Sequence, residues 1–155
     1  MRKTILISGL ALAFHLPPGL AGAAERPAVL GFQALEGQCL EVVAGKDDLT
    51  AGCGPKVGIM RYADGRTGFY FLLAKDRMLT FSGFAKGGDR STYALDRVIY
   101  NDGTSATKPM VASASGACSH GDPAKGPVTV RCKGRTPQGM VFSATFRSNG
   151  KPPKQ

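Results

Sequence analysis

Between Val57 and Tyr100 apolar positions come in four short runs, Val57–Tyr62, Thr67–Ala74, Met78–Phe84 and Ser91–Tyr100. They are parted by Asp64-Gly65, Lys75-Asp76 and Gly87-Gly88, and Asn101-Asp102-Gly103 closes the last. Gaps this short join only antiparallel neighbours, because a parallel pair needs a crossover of about a dozen residues or more. The pattern therefore predicts an up-and-down β-meander. Read as two-residue hairpin loops, Asp64-Gly65 pairs Tyr62 with Thr67, Met60 with Phe69 and Ile59 with Tyr70, and Lys75-Asp76 sets Leu72 opposite Leu79 and Tyr70 opposite Phe81. One face then collects Val57, Ile59, Tyr70, Leu72, Leu79 and Phe81, and the other Met60, Phe69, Phe71, Leu73 and Met78. A sheet apolar on both sides needs cover on both, or shelters a ligand. The expected cover is the amino-terminal segment, with a small apolar pocket as the alternative.

Upstream, Val29–Leu35 reads either as an edge strand or as a single helical turn, since Gly31 and Gly37 oppose a longer helix. A hairpin of Cys39–Val43 and Leu49–Cys53 follows, leaving through Gly54-Pro55. Downstream, Pro109–Cys118 continues as a strand of small residues. Val128–Arg135 and Met140–Arg147 form the last hairpin around a three-residue loop, Pro137-Gln138-Gly139, with glycine at its left-handed position. That loop pairs Thr136 with Met140, and so Gly134 with Phe142, Cys132 with Ala144 and Val130 with Phe146 on the core side. Arg131, Lys133, Arg135 and Arg147 then share the outward face.

The amino terminus changes the picture of compartment. Met1-Arg2-Lys3, the apolar Ile5–Leu16 and Ala21-Gly22-Ala23-Ala24 follow the order of a secretory signal peptide. A twelve-residue helix rises only about 18 Å, short of the ~30 Å hydrocarbon core, so no retained transmembrane segment is expected. The expected organisation is a signal peptide over 1–24, one all-β domain over 25–148 and a flexible basic tail over 149–155, in a periplasmic or secreted protein. With 21 glycines, 10 prolines and 43% hydrophobic residues, the composition suits many turns and short strands around a modest core. The fold class is all-β: a single antiparallel meander-rich domain, a small barrel or sandwich, of eight to ten strands.

Four cysteines in an exported chain read first as disulfides, in any of three connectivities. Cys39 and Cys53 flank one turn-rich stretch symmetrically, and Cys118 and Cys132 another, which favours 39–53 and 118–132. Each bridge closes a loop of about 15 residues, a stabilisation of roughly 3 kcal/mol in the chain-entropy treatment. The pairs lack both the close spacing of structural zinc ligands and the C-x-x-C of redox sites.

Charge narrows the function. The net charge of the whole chain is +9, yet residues 25–103 hold ten basic and ten acidic side chains. Residues 104–155 hold eight basic ones, Lys108, Lys125, Arg131, Lys133, Arg135, Arg147, Lys151 and Lys154, against Asp122 alone. A one-sided patch draws anionic partners over roughly a Debye length, about 8 Å at physiological salt. The expected partners are an anionic envelope component or an acidic protein; a plainly solvated face is the bland alternative. Nucleic acid is not expected, because the basic residues lack an interleaved aromatic platform.

Chemistry finds little purchase. His120 is the one histidine after residue 24, and no G-x-S-x-G elbow supplies it with a nucleophile. A soft-metal site of Cys118, His120 and Cys132 needs reduced thiols. The aspartates at 47, 48, 76, 89 and 102 occupy turns for backbone reasons. No cofactor, metal or catalytic residue is assigned. The sequence therefore supports a non-catalytic envelope binding module acting through the basic hairpin. The alternatives are a small apolar-ligand carrier, with its pocket near Phe69, Phe71 and Met78, or an inhibitor-like β-barrel, and behind them an enzyme using His120.

Overall fold

The structure, a computed structural model, describes residues 26–155. The expected signal peptide over 1–24 lies outside the described residues. From Val29 onward the chain forms β1 (Val29–Ala44), β2 (Asp47–Asp48), β3 (Cys53–Tyr62), β4 (Arg66–Leu73), β5 (Met78–Lys86), β6 (Asp89–Asn101), β7 (Met110–Ser119), β8 (Thr129–Arg135) and β9 (Val141–Ser148). Every pairing is antiparallel, each strand from β3 to β8 lies beside its successor, and β1 joins β3 to β9. The result is a closed eight-stranded barrel with β2 as a short extra strand on β1. Closure selects the barrel from the two expected architectures.

Of the two readings of Val29–Leu35 the edge strand forms and the helical turn does not: the segment pairs along one side with β3, is bridged along the other only at Ala34, to Lys154, among the described residues, and begins the longer strand β1. Its first half pairs with β3, through Leu35 opposite Val57, and its second half with β9, through Val42 opposite Ala144. It crosses between the two at Gly37, where an added Cβ would lie 2.0 Å from the Arg147 carbonyl oxygen. The amino-terminal segment is thus part of the barrel wall and supplies no second layer. The hairpin expected from Leu49–Cys53 is also corrected: β2 has only two residues, and Thr50–Gly52 turns as a 3₁₀ helix. Thr50 makes that turn, its hydroxyl accepting from the Val42 amide at 2.9 Å while its own amide donates to Asp48 Oδ1 at 2.9 Å.

The register of β4 is the larger correction. Arg61 faces Thr67, Ile59 faces Phe69 and Val57 faces Phe71, one residue away from the two-residue-loop expectation. Ala63-Asp64-Gly65 is a three-residue loop, with the Gly65 amide bonded to the Tyr62 carbonyl at 3.0 Å and Gly65 left-handed at φ 84°. At the other end Ala74-Lys75-Asp76 is also a three-residue loop, closed by the Leu73 amide on the Arg77 carbonyl at 2.9 Å, so Phe71 faces Leu79 and Phe69 faces Phe81. Both slips move β4 alone, and with a side-chain period of two they turn it over. Phe69, Phe71 and Leu73 point into the barrel with Val57, Ile59, Leu79 and Phe81, whereas Tyr70 and Leu72 point out.

Gly87-Gly88 is a two-residue loop with both residues at positive φ, the geometry a hairpin twist requires. The last hairpin matches its expected register residue for residue, from Thr129 opposite Arg147 to Arg135 opposite Val141. Phe69, Phe71, Phe81, Phe142 and Phe146 are fully buried and occupy the interior, where each contributes on the order of 2–3 kcal/mol of apolar burial. Both disulfides join the expected partners. Cys118 and Cys132 face each other directly across β7 and β8 with Cα atoms 4.0 Å apart, and Cys39–Cys53 spans 5.9 Å. Residues 149–155, expected as a tail, run beside β1: the Ala34 amide donates to the Lys154 carbonyl at 2.8 Å, and the Lys154 amide returns the bond at 3.0 Å.

Candidate functional site

Alternation along β8 sends Val130, Cys132 and Gly134 inward and Arg131, Lys133 and Arg135 outward. Alternate residues of a strand lie about 6.8 Å apart, so the three cations form a row about 14 Å long. On β9, Arg147 stands opposite Thr129, one diagonal step from Arg131, so all four residues share one outer surface. All four are exposed, and none takes part in an ion pair among the described residues. Among the described residues Arg135 alone of the four is tied down, donating to the Gly139 carbonyl at 3.1 Å. Neighbouring like charges about 7 Å apart repel by about 0.6 kcal/mol in water before salt screening. An anion laid along the row relieves that repulsion.

The strands on either side shape the surface. β7 presents Ser115, Ala117 and Ser119 opposite Arg135, Lys133 and Arg131, so low side chains border the row. On the other side Ser143 and Thr145 stand opposite Lys133 and Arg131, and Glu41 of β1 lies one strand further, opposite Thr145.

Cations elsewhere behave differently. Arg66 grips Asp96 with two bonds of 2.6 and 2.7 Å, donates to Ser82 Oγ at 3.1 Å and lies 4.4 Å from the centre of the Phe84 ring. The hydrogen bonds from Arg66 hold the Asp96 carboxyl below the usual carboxylate range. Lys154 Nζ bonds Glu36 Oε1 at 2.7 Å and lowers that carboxyl in the same way, with Lys56 at 3.8 Å from the same oxygen.

His120 follows β7 at one end of the barrel. Its backbone amide donates to the Ser91 carbonyl at 2.9 Å, and its ring stacks on Tyr93 at 5.7 Å. Nδ1 lies 2.6 Å from the Gly121 carbonyl oxygen, which can only accept, so Nδ1 is the donor. Nε2 is shut off from solvent and has no hydrogen-bond partner among the described residues. Cys118 and Cys132 are bonded to each other, so the soft-metal trio considered with His120 has no thiolate to offer.

The apolar pocket expected near Phe69, Phe71 and Met78 is corrected by the turned-over β4. Phe69 and Phe71 are core residues, and Met78 lies on the outside. An apolar groove of about 400 Å³ does exist, but on the outer surface, lined by Phe32, Gly58, Met60, Tyr70, Leu72 and Met78. Gly58 and Gly68 flatten that wall: the Phe32 ring lies 3.1 Å from where a Gly58 Cβ would be, and the Tyr70 ring covers Gly68. Tyr70 reaches across to bond Tyr62, hydroxyl to hydroxyl, and burial together with that bond pushes its phenol well above the ordinary value. The missed signal was the third residue in each loop flanking β4. No family model matches this chain, and comparisons with curated proteins and with solved structures find no match.

Proposed function

We propose that this protein is a non-catalytic binding module of the cell envelope, periplasmic or secreted, that holds an anionic partner on the β8–β9 face. The observation carrying the reading is that Arg131, Lys133, Arg135 and Arg147 lie exposed on adjacent strands without a carboxylate partner among the described residues. Two formed disulfides fit an oxidising compartment, and no helix among the described residues is long and apolar enough to cross a membrane. The test is retention of the protein on an isolated envelope fraction over a salt series. Wild type should elute as salt rises, and replacing all four residues with glutamine should abolish retention while leaving the unfolding midpoint in place. Unchanged, salt-sensitive retention of the variant removes the reading.

The outer apolar groove supports a second reading, a carrier of small apolar ligands. A dye that brightens in apolar surroundings should bind the native barrel, and Leu72→Asp should suppress the signal. Absence of dye binding to wild type counts against it.

A further inference from the structure

We propose that the end of the barrel between the starts of β1 and β6 and the end of β7 is a binding site for a small amphipathic carboxylate, with Arg61 and Arg90 holding the charged group. A cavity of about 400 Å³ opens there, within the range of small-molecule sites. Its floor is apolar and closely packed. Ile59 and Tyr93 are buried, Tyr93 and His120 stack with planes 16° apart, and Phe69 meets the edge of Tyr93 from inside the barrel at 5.1 Å. The Tyr93 hydroxyl donates to the Arg90 carbonyl at 2.8 Å, tying the wall to the floor. Gln33, paired with Ile59, adds a neutral polar side chain to the rim.

Arg61 and Arg90 line this cavity, and neither takes part in an ion pair among the described residues. Asp122, the one carboxylate in the lining among the described residues, is engaged elsewhere: it accepts from the Ala124 amide at 3.0 Å and lies 3.8 Å from Lys125 Nζ. Gly31 helps make the room, since a Cβ there would sit 3.0 Å from an Arg61 guanidinium nitrogen. Two guanidiniums above an aromatic floor are complementary to a carboxylate carrying an apolar body. The forks fit the carboxylate, and the low-dielectric floor strengthens the field they project. This site is separate from the β8–β9 row, so either can fail alone.

Calorimetric titration of the full protein with phenylacetate tests it, with acetate and inorganic phosphate as comparison probes. Saturable one-to-one binding is expected, weakened about tenfold or more by Arg61→Gln with Arg90→Gln and unchanged by Arg131→Gln with Lys133→Gln. Acetate and phosphate should bind at least about tenfold more weakly, since neither covers the floor. The proposal is overturned if phenylacetate does not saturate, if the Arg61/Arg90 variant binds as wild type does, if both variants lose affinity equally, or if acetate matches phenylacetate. Ring resonances give a readout on unsubstituted protein: phenylacetate should shift those of His120 and Tyr93, and shifts confined to β8 and β9 overturn the assignment.

Discussion

Gly116 and Gly134 face each other across β7 and β8, and giving each a methyl group should have opposite consequences. At Gly134 an added Cβ would point into the core and meet Val98, Ala114 and Leu95 side-chain carbons at 3.4 to 3.7 Å, ordinary packing distances. At Gly116 it would lie 2.0 Å from the Lys133 carbonyl oxygen, where carbon and oxygen need about 3.3 Å. The strands would have to part locally by about an ångström. They are prevented from doing so cheaply by the Cys118–Cys132 bridge two residues away, whose Cα atoms are 4.0 Å apart. Relief then comes from breaking one or two ladder hydrogen bonds, at about 1–3 kcal/mol for each buried group left unpaired. Gly116→Ala should therefore cost about 3 kcal/mol, a loss of about 10 °C in Tm, while Gly134→Ala stays within about 1 kcal/mol of wild type. Urea unfolding of the oxidised proteins, followed by circular dichroism, measures both. If the two alanine variants prove equally stable, the close approach of β7 to β8 at this point is wrong.

Other consequences are as direct. Phe71→Ala should cost about 3–5 kcal/mol and Leu72→Ala under about 1, by urea unfolding; the reverse order would restore the alternative facing of β4. Because Arg66 lowers the Asp96 pKa in the folded state, the pair's contribution is present above the unfolded carboxylate value near pH 4 and disappears as pH falls through the lower folded value. The stability gap between wild type and Asp96→Asn should be about 1 kcal/mol at pH 7, limited by solvent screening of the exposed carboxylate, and should close on acidification; a gap that widens in acid refutes the pairing. Cys39→Ala with Cys53→Ala should lose about 3 kcal/mol, and Cys118→Ala with Cys132→Ala more, because those sulfurs are also buried in the core. Equal losses in thermal unfolding would place both bridges at the surface.

Much of the candidate surface was legible because it depends on a short piece of chain. Pro137-Gln138-Gly139 carries its own loop geometry, so pairing from Thr129 to Arg147 and the outward row of Arg131, Lys133 and Arg135 follow from counting. Arg61 and Arg90 offered no such signal, since they lie 29 positions apart along the chain and only the closed wall brings both to one cavity. The same holds for the outer groove, where Phe32 of β1 meets Met60, Tyr70 and Leu72.

By itself the chain's order of apolar runs and tight reversals determined an all-β antiparallel meander, and the placing of its cysteines determined the two bridges. Turn chemistry and alternation are local, and neighbouring residues suffice to set them. The facing of β4 turned on one extra residue in each flanking loop, which Asp64-Gly65 and Lys75-Asp76 leave open. Packing settles it, because only one facing puts Phe69 and Phe71 among Leu79, Phe81 and Val57. Closure of the barrel belongs to the tertiary structure alone: β1 must leave β3 for β9 at Gly37, and the free energy that drives it comes from packing strands about 100 residues apart in sequence.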